Sequence, residues 1–260
     1  MKWPNYLALV RHGRSAFNKM KDEKHEHPLW KIFLHEYNRD YRSKKTRELA
    51  EKILRIFSLP YSDYDTPITE LGRRQARKTG EFLKQIIQKP DVLITSPYIR
   101  CQETLKEVVS AWPELHDVPI YTEEYIRERN TGLATLYCDW RLFYAFHPEQ
   151  KELFDLVKEY EYCYPQGESH TDVRTRGRLW LGTLTREFAE KNVLAFMHHV
   201  SIVATRANLE RMSPEAYIEL NDKNPPKNCS VTVYRGHPEL GRDGKLILER
   251  YNSLPEEHNA

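Results

Sequence analysis

The 260-residue chain carries 40 Lys and Arg against 38 Asp and Glu, and 40% of it is hydrophobic. That apolar content can bury a substantial core, and the length admits either one elaborated α/β domain or two small ones. A net charge of +2 supplies no global field for nucleic acid or an anionic membrane surface, so a small-molecule ligand is the expected partner.

The first apolar run, Tyr6-Leu7-Ala8-Leu9-Val10, is too short for a signal-peptide core or a membrane span and reads as a buried strand of a soluble, unprocessed protein. From Lys19 to Asp63 the pattern changes. This stretch begins charged, aromatic and His-rich, then carries Leu49, Ile53, Leu54, Ile56 and Phe57 at helical spacing. It reads as an insertion, 19–63, inside one domain spanning 1–260. Its aromatic and basic residues, among them Trp30, Phe33, Tyr37, Arg39 and Arg42, suit either a lid over a substrate or an added helical layer.

A helix is expected from Thr69, with Leu71, Phe82, Leu83, Ile86 and Ile87 on its inner side, ending before Pro90. A second buried strand follows at Asp91-Val92-Leu93-Ile94-Thr95. Thr95-Ser96-Pro97 then predicts a hydroxyl cap with proline at the first helical position, and Cys101, Leu105, Val108 and Val109 form the apolar stripe. Arg100 falls in that helix's first turn. Ser169 and Asp172 predict a capped helix through Phe188 with Val173, Trp180, Leu181 and Leu184 inside, and it feeds a third strand, Asn192–Met197.

Cys229–Tyr234 and Lys245–Leu248 read as further strands, antiparallel at one edge, and the tail 255–260 is polar and expected to fray. Cys101, Cys138, Cys163 and Cys229 show no C-x-x-C pair, which fits neither a disulfide framework nor a zinc knuckle and points to a reducing cytoplasm. Strand followed by helix, three times over, gives an α/β fold with a mostly parallel central sheet flanked by helices.

Ligands of open α/β sheets gather at the carboxyl ends of the strands. Here three such ends carry Arg11-His12-Gly13, Arg100 and His198-His199. Four basic groups brought together repel one another unless a dianion such as a phosphate monoester sits among them. Gly13 permits a tight turn beside His12, whose neutral imidazole can attack phosphorus while the arginines spread the charge on the equatorial oxygens. That chemistry calls for no metal and no cofactor. His25 and His27 lack convincing ligand spacing.

These residues resemble the histidine phosphatase superfamily, also called phosphoglycerate mutase-like. Leu9-Val10-Arg11-His12-Gly13-Arg14-Ser15-Ala16-Phe17-Asn18 is similar to its R-H-G-x-S-x-x-N signature, and Thr69-Glu70-Leu71-Gly72 with Gln75-Ala76 to its L-T-x-x-G-x-x-Q-A helix start. Ser96-Pro97 with Arg100 and Thr104 matches S-P-x-x-R-x-x-x-T. His198 falls at the family's second histidine, although the usual following glycine is His199 here. Tyr164-Pro165-Gln166-Gly167-Glu168-Ser169 and Asn228-Cys229 are similar to plant and fungal members of the phosphatase branch.

The resemblance implies a phosphohistidine formed on His12, with Arg11, Arg100 and His198 gripping the phosphoryl group. Beside that, Ser15 and Asn18 either contact the phosphate or cap the helix after the loop, and His199 is expected to lend its backbone amide rather than its side chain. Arg127-Glu128-Arg129 followed by Gly132 resembles the segment that supplies the family's acid, which makes Glu128 the general acid/base, although a solvated charged face is the ordinary reading of such a run. Hydrolysis ranks above mutase-type transfer, because Arg141, Lys151 and Lys158 are the few extra cations between Gly132 and Tyr164. A phosphate-binding module without turnover is the remaining alternative.

Overall fold

Each of the three apolar runs becomes a strand buried on both faces: β1 (Tyr6–Arg11), β2 (Val92–Thr95) and β4 (Asn192–Met197). A computed structural model describes residues 2–256 of the chain; of the tail expected to fray, 257–260 lie outside the described residues. β3 (Ile120–Thr122), β5 (Val231–His237) and β6 (Lys245–Ser253) complete a six-stranded sheet in the order β3-β2-β4-β1-β5-β6. The first four strands run parallel, and β5 and β6 are antiparallel at one edge.

Side chains alternate between the two faces, as the period of a strand requires. Tyr6, Ala8 and Val10 of β1 join Leu194 and Phe196 of β4 under α4 (Glu70–Ile86) and α5 (Ile99–Ala111). Leu7 and Leu9 join Val193, Ala195 and Met197 on the other face, with Trp180, Leu181 and Leu184 of α8 (His170–Glu187) and Ile202 of α9 (His199–Leu209). The fold is therefore the mostly parallel, helix-flanked α/β sheet that the sequence predicts.

One local expectation changes, and one strand is new. Pro97 is not the first helical residue: α5 starts at Ile99 with Tyr98 at its N-cap, and the Ser96 hydroxyl instead accepts the Tyr98 amide at 3.4 Å. Arg100 keeps its place in the first turn. β3 has no signal in the sequence, because all three of its residues are exposed. The Ser169 and Asp172 pair caps α8 as expected, each side chain accepting the other's backbone amide, at 3.1 and 2.8 Å.

Contacts divide the chain into two compact units. The sheet unit comprises Met1–Ser15, Tyr64–Glu128 and Val173–Ala260, and ends with α10 (Pro214–Lys223) among its helices; the second unit comprises Ala16–Asp63 and Arg129–Asp172. The second unit thus joins the 19–63 segment to a stretch that the sequence reading did not group with it. Its helices are α1 (Ala16–Glu26), α2 (Pro28–Arg39), α3 (Lys44–Ile56), α6 (Trp140–Phe146) and α7 (Pro148–Glu161). Trp30, Phe33, Tyr37, Leu49 and Ile53 meet Leu142, Phe143, Tyr144 and Tyr162 in its core, whereas Ile56, expected inside, is exposed. His25 and His27 lie on or beside helices: His25 stacks on Trp30, and the His27 ring caps α2 by accepting the Leu29 amide.

Lys24 is the unusual member of that core. Fully buried, its ammonium donates to Asp139 Oδ2 and to the Cys138 carbonyl, each at 3.0 Å, and lies 4.6 Å from the Trp30 ring centre. Burial alone would raise the Asp139 carboxyl; His25, Lys24 and Arg141 overcome that and bring it down to about 2. Removing one partner from a buried pair strands the other charge, at a cost of about 3–5 kcal/mol. Lys24→Ala should therefore lose stability on that scale in urea denaturation, and a loss below about 1 kcal/mol would show that Asp139 finds water instead. Among the described residues, no helix is long and apolar enough to cross a membrane.

Candidate active site

Because β2, β4 and β1 are neighbours and parallel, the residues that follow their carboxyl ends come to one edge of the sheet. Arg11 closes β1 opposite Met197 of β4, and His12 donates its backbone amide to the Met197 carbonyl at 3.0 Å. His12 and His198 face each other edge to face, with ring centres 5.2 Å apart. Both are buried, at 4% and 0% exposure.

Their hydrogen bonds fix which nitrogen of each ring holds the proton. A carbonyl can only accept, so His12 Nδ1–H donates to the Gly13 oxygen at 2.9 Å and Nε2 keeps a lone pair. A guanidinium can only donate, so Arg100 Nε donates to His198 Nδ1 at 3.3 Å, and His198 Nε2–H donates to Ser96 Oγ at 2.8 Å. Burial first, then the charges of Arg100 and Arg11, hold His12 well below the ordinary histidine range; burial and Arg100, then His12 and Arg11, do the same to His198. Each ring is neutral at neutral pH.

Arg11 donates through Nη1 to the Pro226 carbonyl at 2.6 Å, while its Nε is buried without a hydrogen-bond partner. Arg100, 5% exposed, lies 4.6 Å from the Tyr98 ring centre. Glu128 Oε1 accepts the Val200 amide at 3.2 Å, which places the carboxylate at the N-terminus of α9. Its charge acts on Arg11, second only to burial, and opposes the lowering that burial imposes there. His199 opens the same helix and is half-buried. Ser15 is fully buried and forms an antiparallel bridge with Ile68, and Asn18 stands on α1 in the second unit. Arg11, His12, Arg100, Glu128, His198 and His199 are therefore assembled in the sheet unit as the sequence reading groups them.

The loop that follows His12 is fixed through its backbone. Gly13 donates its amide to Thr104 Oγ1 at 2.9 Å, and Thr104 in turn donates to the Arg100 carbonyl at 2.6 Å. Arg14 offers its carbonyl to the Thr69 hydroxyl at 2.9 Å and its amide to Gln75 Oε1 at 3.2 Å. A Cβ at Gly13 would stand 2.6 Å from the Gly72 carbonyl oxygen, closer than side chains tolerate, so the loop and α4 meet through glycine. Asn228 Nδ2 donates to the His12 carbonyl at 3.0 Å from the far side.

Arg176 has no role in the sequence reading, yet it is 7% exposed and donates to the Tyr125 and Glu128 carbonyls at 2.6 and 3.1 Å. Its signal was present: it sits between Val173 and Trp180 on the apolar stripe of α8, where an arginine has to find a buried partner. The glycine and acid of Gln166-Gly167-Glu168-Ser169 serve the second unit's own turn, with Glu168 Oε2 accepting the Asn130 amide at 2.9 Å. Cys229 and Arg235 stand six residues apart, as in cysteine-based phosphatases, but strand β5 occupies the interval. Burial pushes the Cys229 thiol up to about 12, and Arg235 is paired with Glu249.

A buried, neutral histidine with a free lone pair, beside two guanidiniums at the carboxyl edge of a parallel sheet, defines an α/β enzyme that handles oxyanions and phosphoryl groups. The family model "Histidine phosphatase superfamily (branch 1)" matches residues 58–244, well over half of the chain, and the chain belongs to that superfamily. Its activity class is metal-independent phosphoric monoester hydrolysis through a phosphohistidine.

A phosphoglycerate mutase-like protein of Arabidopsis thaliana is 25% identical over 214 residues, covering 75% of this chain and 71% of that one. An uncharacterized phosphatase, PhoE, of Bacillus subtilis is 28% identical over 152 residues, covering 58% and 68%. Among solved structures, a mycobacterial glucosyl-3-phosphoglycerate phosphatase in complex with inorganic phosphate aligns with a TM-score of 0.64 at 18% identity, covering 96% of this chain and 98% of that one. At such identity the likeness is one of fold.

Both site histidines have native proton affinities below the unfolded value of 6.5. As pH falls through and below that value, the unfolded chain binds protons that the native chain does not, and stability is lost; above it the contribution is fully present. The urea midpoint of the ligand-free protein should thus drop between about pH 7 and pH 5, and drop less in His12→Asn. An equal acid sensitivity in the two proteins would mean that His12 is not held neutral by its surroundings.

Proposed function

We propose that this protein hydrolyses a small phosphate monoester, with His12 as nucleophile and Glu128 as the proton donor and acceptor. The observation that carries this reading is the tautomer of His12: with Nδ1–H committed to the Gly13 carbonyl, Nε2 is the nitrogen available to attack. Phosphorus accepts that lone pair and the ester's P–O bond breaks. The departing alkoxide takes a proton from Glu128, and a water that returns its proton to Glu128 then cleaves the P–N bond. Arg11, Arg100 and His198 stabilise the equatorial oxygens throughout, with the amides at the start of α9 adding to them. Ser15 is a further phosphate contact of the same proposal.

Mutase-type transfer is the second reading, supported by a 2,3-bisphosphoglycerate-dependent phosphoglycerate mutase of Gloeobacter violaceus, 31% identical over 154 residues. Retaining and reorienting a phosphorylated intermediate calls for cations beyond the phosphoryl pocket. Two of the three in the relevant stretch are already engaged inside the second unit: Arg141 lies 3.6 Å from Asp139, and Lys151 is paired with Asp155 at 2.5 Å. Hydrolysis is therefore favoured. Four unpaired cysteines suit a reducing compartment such as the cytoplasm.

His12→Ala should remove essentially all phosphate release from a panel of monoesters, and rapid quenching of the wild type in alkali during turnover should trap a phosphoenzyme that acid then releases, since phosphohistidine is acid-labile and alkali-tolerant. Substantial residual turnover by His12→Ala would falsify the assignment of the nucleophile. EDTA should leave the rate unchanged, because arginine and histidine supply the charge that a metal would otherwise bring.

Glu128 is tested through the leaving group. Glu128→Gln keeps an acceptor for the Val200 amide but cannot donate an acidic proton, so alkyl phosphates should slow by about 10²–10⁴-fold, while an activated aryl phosphate, whose leaving group needs no proton, slows far less. Equal damage to both substrates would reduce Glu128 to a cap on α9.

A further inference from the structure

Arg11 is positioned by a segment far away in sequence. Its Nη1 rests on the Pro226 carbonyl, and the Nε of the same guanidinium is buried without a hydrogen-bond partner. Pro225 and Pro226 have no amide N–H and have φ fixed by their rings, so these two residues present only acceptors and cannot be tied down by donating to a neighbouring strand. Something else has to hold it.

The end of β6 does so. Asn252 Nδ2 donates to the Pro225 carbonyl at 3.1 Å, and its Oδ1 accepts the Lys227 amide at 2.7 Å, so one side-chain amide brackets Pro226 from both sides. Asn252 takes φ = 55°, a left-handed conformation uncommon for any residue with a Cβ and most tolerated by asparagine. Next to it, the Tyr251 hydroxyl donates to the Asn224 carbonyl at 2.5 Å, while its ring lies 3.8 Å from the Arg206 guanidinium carbon. The segment so held delivers two contacts to the site: the Pro226 carbonyl to Arg11 and the Asn228 side chain to the His12 carbonyl.

We propose that Asn252 is a positioning residue for the reaction, acting through segment 224–228 to orient the Arg11 guanidinium and the His12 backbone. This deepens the function proposed above and rests on it. Asparagine is suited to the task because one planar amide supplies a donor and an acceptor together, which aspartate and serine do not at this spacing. A site built on such second-hand contacts loses rate when the reacting groups shift by a fraction of an ångström.

Asn252→Gly is the decisive variant, since glycine accepts φ = 55° without strain and only the side-chain bonds are lost. Expected are a roughly tenfold weaker inhibition by inorganic phosphate and a similar loss in kcat/KM for an aryl phosphate, with circular dichroism unchanged. Asn252→Asp, which retains the acceptor for the Lys227 amide, should fall between the two. In an Arg11→Lys background the same glycine substitution should cost much less, because the ammonium has no fork for Pro226 to orient.

An equal loss in both backgrounds, or unaltered phosphate affinity in Asn252→Gly, overturns the inference while leaving the proposed function standing. Wild-type protein that binds no phosphate at all overturns the function and the inference together.

Discussion

Everything at the sheet edge follows from a set of like-charged groups held away from water. Burial first, and then the charges of Arg100 and Arg11, hold His12 and His198 well below the ordinary histidine range, so both rings stay neutral. Neutrality is what the proposed nucleophilic role of His12 requires, and it leaves the guanidiniums of Arg11 and Arg100 as the positive charges beside it. The Glu128 carboxylate accepts the Val200 amide at the N-terminus of α9, where the helix's own amides favour it. A phosphoryl dianion then enters a site already arranged for its charge, which is the condition under which electrostatic stabilisation requires little reorganisation.

How much of this could be read from the sequence depended on burial. β1, β2 and β4 are covered on both faces, so they appear as uninterrupted apolar runs, and the residues at or beyond their carboxyl ends, Arg11, Arg100 and His198 among them, meet because the three strands are neighbours in the sheet. β3, with three exposed residues, leaves no such trace. α1 was hidden for the opposite reason. Its sequence, Ala16–Glu26, is charged on nearly every side, and one of its two buried residues is Lys24, which a pattern of apolar and polar residues assigns to solvent. The partner that makes that burial tolerable, Asp139, lies more than a hundred residues further on. For the same reason Trp30, which looked like a surface for substrate, belongs with Phe33 and Tyr144 in the second unit's core.

Long-range polar contacts were the other blind spot. Arg176 and Asn252 reveal their importance only through what they bond, Glu128 in one case and Pro225 with Lys227 in the other. Neither contact has a spacing rule, because both cross between elements whose separation the tertiary fold decides. Arg176 at least broke the apolar stripe of its helix. Asn252 broke no pattern, since an asparagine near a strand end is ordinary until its φ is known.

Most of the residues that made the family legible do not touch the chemistry. Thr69 and Gln75 satisfy the carbonyl and the amide of Arg14, Thr104 takes the amide of Gly13, and Gly72 yields the space that this approach needs. A loop that carries a nucleophile has few neighbours to complete its hydrogen bonds, and buried backbone groups left unsatisfied are costly. The spaced threonines, glutamine and glycines are thus the partners of one short loop, distributed over the two helices beside it. Their spacing is helical because α4 and α5 present them, and a loop residue paired in this way has little freedom to move. The resemblance in sequence therefore records the scaffolding of the loop after His12 as much as the residues around it.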